Sequence, residues 1–78
     1  MLYPRPGSTT LQAAGNGTFA NPISFAGASK KSVDWYIAPH TIVYIAKHKK
    51  YFIMEDECTE CNHEKKFTID IWFVFYFI

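Results

Sequence analysis

The side chains in this sequence with chemical potential are the aspartates Asp34, Asp56 and Asp70, and the pair Cys58 and Cys61 with His63 close behind. Asp56 closes the run Tyr51-Phe52-Ile53-Met54-Glu55-Asp56, whose aromatic and β-branched content predicts a strand. Strict alternation then sets Phe52, Met54 and Asp56 on one face and Ile53 and Glu55 on the other. Asp56 would leave the strand beside apolar neighbours, where desolvation favours a protonated acid. A general acid for a glycosidic oxygen needs that state. Asp70, with Thr68 and Trp72 on its own face, is the candidate second carboxylate, and Trp72 offers a flat surface to a sugar ring. The competing reading is structural: acids at strand ends commonly bond turn amides, and Trp72 can serve as packing.

The Cys-x-x-Cys step lies in Glu57 to Lys66, a stretch with almost nothing to bury, which predicts an exposed loop. It reads as a local disulfide or free thiols, as a redox pair, or as half of a zinc site. No distant second pair is present to complete a tetrahedron and no βαβ setting supports a redox role. The expectation is therefore a Cys58–Cys61 disulfide or free thiols, with no metal and no cofactor. His40 and His48 read as turn residues, and no Ser/His/Asp or Cys/His spacing is legible.

The elements that must position these groups are strands. Aromatics make up 18% of the chain, and β-branched residues crowd its second half, a composition that favours sheet over helix. Residues 4 to 29 are punctuated by Pro and Gly and read as loops joining one or two short strands. Val33 to Tyr36, Thr41 to Ala46, Tyr51 to Asp56 and Phe67 onward are the expected strands, with 41–46 and 51–56 forming a hairpin across Lys47 to Lys50. Such spacing without a credible amphipathic helix predicts a small all-β barrel or sandwich. A chain of 78 residues makes one domain, whose core needs to be dense or helped by a staple or partner.

Charge and hydropathy remove several functions. The formal net charge is +1, too small for a cationic field that would hold nucleic acid. Lys47-His48-Lys49-Lys50 reads as a solvated turn. Ile71 to Ile78 is apolar throughout, yet as a helix it would rise about 12 Å against a hydrocarbon core of about 30 Å, so it makes no membrane span. Asn16-Gly17-Thr18 is an N-glycosylation acceptor in a turn-prone setting.

In order along the chain stand Val33-Asp34, Ile37-Ala38-Pro39-His40-Thr41 with Val43-Tyr44-Ile45, Tyr51 to Asp56, and Ile69-Asp70-Ile71-Trp72. This string resembles the three-aspartate (3D) domain of bacterial lytic transglycosylases and related cell-wall proteins, a double-psi β-barrel. The stretch Gly15 to Ala26, together with Glu55-Asp56-Glu57-Cys58, resembles a group of uncharacterised fungal secreted proteins. His40 replaces a glycine of the bacterial pattern, and the cysteine loop replaces its glycine-rich loop. The resemblance implies a small double-psi-type barrel over residues 15–72, complete or incomplete, between an irregular segment 1–14 and an apolar tail 73–78. It also implies Asp34 as a third, substrate-binding acid beside Trp72.

The expectation is a secreted domain, with its leader outside these residues, that contacts polysaccharide or cell-wall glycan. A glycan-cleaving enzyme using Asp56 as acid and Asp70 as assistant is the alternative. A fragment of a gene model without a function is the third.

Overall fold

The computed structural model describes residues 1–8 and 14–71 and the backbone of 74–77. The chain is all-β, as expected. Five strands, β1 (Ile23–Gly27), β2 (Ile42–Ile45), β3 (Lys50–Glu57), β4 (Thr68–Ile71) and β5 (Val74–Phe77), form one sheet in the order β2-β3-β1-β4-β5. Four of them curl into half a barrel. The β1–β3 pair is parallel and the other three pairs are antiparallel.

The hairpin β2–β3 forms where alternation and turn chemistry agree. Ile42 pairs with Ile53, Val43 with Phe52, Tyr44 with Tyr51 and Ile45 with Lys50. Lys49 closes the turn with φ of 53°. Val33 to Tyr36, by contrast, is not a strand. Its residues turn back, with Val33 N–H bonded to Lys30 C=O and Tyr36 N–H to Val33 C=O. Local propensity there yields to packing, because Val33 and Trp35 lie against a small cluster of Ala28, Cys58 and Cys61.

The main core occupies the inner face of the sheet: Phe25, Ile45, Phe52, Met54 and Ile69 from four strands, plus Ile37 from the long β1–β2 connection. Met54 and Ile69 are fully buried. Burying side chains of this size contributes about 1.5–3 kcal/mol each.

One irregularity sets the geometry of everything downstream. Between β1 and β3 the register runs Phe25 to Met54 and then Ala26 to Asp56. Glu55 is the extra residue of a β-bulge. Neighbouring residues in register share a face, so Asp56 lies on the face of Ala26, opposite Phe25 and Met54. The strict alternation expected from the sequence is thereby corrected: Asp56 does not share a side with Met54.

Candidate functional site

The bulge residue Glu55 carries an acid site that the sequence did not signal. Glu55 has no exposed surface, and its carboxylate is enclosed by donors. Arg5 gives its Nε to Oε1 at 2.9 Å and its Nη2 to the same oxygen at 2.7 Å, while its backbone N–H reaches Oε2 at 2.6 Å. Ser24 Oγ adds a fourth bond to the carboxylate, the third to Oε1, at 2.6 Å. Arg5 is itself anchored by Asn21 Oδ1 at 3.1 Å and by the carbonyl of Pro22. Burial pushes the Glu55 carboxyl up, but the Arg5 side chain, Ser24, the Arg5 amide and the Arg5 charge outweigh it and hold the group below its ordinary value. Glu55 is therefore an ionised structural anchor. A glutamate inside an apolar strand is a weak signal, because its arginine lies fifty residues away in the chain and nothing in the spacing brings Arg5 to it.

The N-terminal residues act as a strap over this region. Tyr3 N–H donates to Glu55 C=O at 2.8 Å, and Leu2 N–H to Asp56 Oδ1 at 3.1 Å. Asp56 also accepts the N–H of Glu57 at 2.9 Å. The expected acid is thus engaged by backbone amides at a strand end, half-buried.

Ala26 is in register with Asp56 on one side and with Asp70 on the other. The two aspartates stand in one row across three strands, their Cα atoms roughly 10 Å apart from two interstrand spacings. Asp34 sits exposed in the 31–35 turn. Trp72 lies outside the described residues.

Cys58 and Cys61 form a disulfide with a Cα–Cα distance of 5.3 Å. The loop that carries them is less exposed than its polar sequence suggests. Glu60–His63 is a 3-10 turn, Cys61 is fully buried, and Trp35 Nε1–H donates to Cys61 C=O at 2.9 Å. The disulfide is buried because Ala28, Val33 and Trp35 of the 28–35 connection pack against it. Among the described residues no group of three His, Cys, Asp or Glu is placed to hold a metal ion, and no helix is long and apolar enough to cross a membrane. His40 adopts φ of 67° and its Nε2 lies 2.9 Å from Tyr3 C=O. The Asn16 side chain is exposed, and its Oδ1 accepts Thr18 N–H at 3.2 Å and Thr18 Oγ1–H at 2.9 Å.

A second feature emerges on the outer face of the hairpin. Tyr44 and Tyr51 oppose one another with ring centroids 4.9 Å apart, and Phe19 meets Tyr51 edge-on at 5.4 Å. Phe19 is 65% exposed and Tyr44 53%. Tyr51 N–H donates to Gly17 C=O at 2.7 Å, which brings the 16–21 turn against β3. The alternation of Ile42 and Tyr44 across from Tyr51 and Ile53 foreshadows this face; the place of Phe19 on it does not follow from spacing.

This molecule is a small open-sheet β domain with a buried Arg–Glu anchor and an exposed aromatic face. It belongs to the family described as the DDB_G0273701 N-terminal domain, whose model matches residues 2–75. It is 47% identical over 64 residues to "Uncharacterized protein DDB_G0273701/DDB_G0273221" of Dictyostelium discoideum, a match covering 77% of this chain and 26% of that protein. The chain thus spans about a quarter of that relative's length. No solved structure matches. The expected kinship with three-aspartate double-psi domains and fungal secreted proteins is corrected by this finding. The pieces that suggested it, from Val33-Asp34 through Tyr51 to Asp56 to Ile69-Asp70-Ile71-Trp72, are short, and each alone is a weak signal. Asp34 falls in a turn here, and Asp56 is bound to amides.

Proposed function

We propose that this domain is a non-catalytic module that contacts polysaccharide through its aromatic outer face and works outside the cell. The observation that carries the reading is the row Phe19–Tyr51–Tyr44, whose two outer rings are more than half exposed. Rigid aromatic surfaces with a polar tip give large contact area at low entropic cost. Exposed rings gathered in one place differ from scattered surface hydrophobics. The acids, by contrast, are occupied: Glu55 by Arg5 and Ser24, and Asp56 by two amides. In a longer protein such a module would serve as an anchor to a glycan surface.

The row Asp56–Ala26–Asp70 supports a second reading, glycan cleavage, because it sets two carboxylates on one face. One experiment separates the two. The 78-residue chain is mixed with insoluble chitin, β-glucan and peptidoglycan, and both retention and released sugar are measured. Retention without product, reduced at least tenfold in Tyr44→Ala and Phe19→Ala, supports contact; product lost in Asp56→Asn replaces it with catalysis. Failure of the parent to adhere to any of these polymers ends the proposal.

A further inference from the structure

We propose that the free edge of β2 pairs with β2 of a second copy of this chain, antiparallel about Val43, joining two sheets into one. This goes beyond polysaccharide contact and does not depend on it.

The phase of the β2–β3 ladder shows which backbone groups are offered. Met54 N–H donates to Thr41 C=O at 3.0 Å, so Thr41 and Met54 form a hydrogen-bonding pair. Such pairs alternate with non-bonded ones in an antiparallel ladder. Val43 and Ile45 therefore also face β3, and Ile42 and Tyr44 turn their N–H and C=O groups outward. Among the described residues β2 is the terminal strand of the sheet on that side.

Edge strands of stable monomers are guarded by short length, a charge, a proline or a bulge, and β2, four residues long, has only the first of these. Thr41-Ile42-Val43-Tyr44-Ile45-Ala46 has no charge and no proline, and its ladder to β3 runs without a bulge. The residues with outward backbone groups also carry exposed side chains: Ile42 is 37% exposed and Tyr44 53%. A two-fold axis through Val43 sets Ile42 of one copy beside Tyr44 of the other, so each of the two side chains covers the other on the outer face.

Charge fixes the direction. Lys47-His48-Lys49-Lys50 follows β2 immediately. Parallel pairing would stack the two basic turns, and like charges opposite one another destabilise a sheet. Antiparallel pairing sends the turns to opposite ends and places Lys47 of one copy near Pro39 of the other. The joined sheet would also set the two Phe19–Tyr51–Tyr44 rows side by side.

The test is sedimentation equilibrium of the 78-residue chain, combined with cross-linking. The expected mass is twice the 9.0 kDa of one chain. Ile42→Lys is expected to return it to the single-chain mass with the far-UV circular dichroism of the parent. Ile42→Pro, which removes only an outward N–H, should do the same and guards against a folding defect in the lysine variant. Val43→Cys places two sulfurs across a non-bonded pair with Cα atoms about 4.5 Å apart, within disulfide reach, and should cross-link under mild oxidation. Thr41→Cys, which would face Ile45, should not. A parent that stays at 9.0 kDa up to about 1 mM, a concentration that populates even a weak dimer, overturns the proposal. So does a dimer that survives both Ile42 variants, or one that does not cross-link in the Val43→Cys variant.

Discussion

Arg5 and Glu55, fifty residues apart, form a pair in which the guanidinium holds one carboxylate oxygen at 2.7 and 2.9 Å while the Arg5 amide holds the other at 2.6 Å. The glutamate has no exposed surface and the arginine side chain is 19% exposed. Removing one partner leaves an uncompensated charge inside the fold, which costs more than the pair contributes when intact. Arg5→Ala should therefore destabilise by about 3–5 kcal/mol in urea unfolding. The double variant Arg5→Met/Glu55→Leu should lose clearly less than Arg5→Ala alone. Equal losses in the two would mean that the strap, not the charge, supplies the stability.

The same pair makes stability depend on pH. The folded-state value of Glu55 lies below its ordinary one, so the unfolded chain binds a proton more readily than the folded chain. Its contribution is complete above the ordinary glutamate value and is lost as pH falls below that, through the folded value. The parent should lose stability over this acid range, and Glu55→Gln should flatten that part of the profile. Denaturation midpoints collected from about pH 7 down to about pH 3 measure the difference; parallel profiles would exclude Glu55 as the titrating group.

Gly15 allows a close approach that no other residue can make. Its φ is 102°, and a Cβ would lie 1.8 Å from the carbonyl oxygen of Pro22. Gly15→Ala should cost at least about 2 kcal/mol, because backbone would have to move and the conformation is foreign to L-residues. Gly7, with φ of 83° and open space around it, provides the control: Gly7→Ala should cost about 1 kcal/mol. Thermal unfolding of the two variants side by side checks the contrast.

The Cys58–Cys61 bridge closes a loop with a sequence separation of 3. Chain entropy for so short a loop amounts to about 2 kcal/mol. Cys58→Ala/Cys61→Ala should lose that amount and shift the indole N–H resonance of Trp35, which donates to Cys61 C=O. An unmoved resonance would show that the 28–35 connection holds its place without the bridge.

Composition and alternation determine the class of fold without reference to any tertiary contact. A chain rich in aromatic and β-branched residues, broken by Gly and Pro, has few ways to bury itself other than as a small curled sheet. The hairpin β2–β3 follows from two apolar runs and a polar turn, since its register depends on strands joined by a four-residue link. Tertiary structure decided the rest. The bulge at Glu55 is set by the pairing of β1 with β3 across some thirty residues of chain, and one inserted residue moves every following side chain to the other face. Alternation counted along the chain therefore put Asp56 on the wrong side, while the face it gave Glu55 held and only the arrival of Arg5 from the N-terminal strap was hidden. Val33 to Tyr36 failed as a strand for a related reason: β-propensity describes fit to a pleated surface, and the surface those residues found was the buried disulfide. Local chemistry determined which segments could extend. Long-range pairing alone fixed which acids are buried, which are bound to amides, and which rings remain in water.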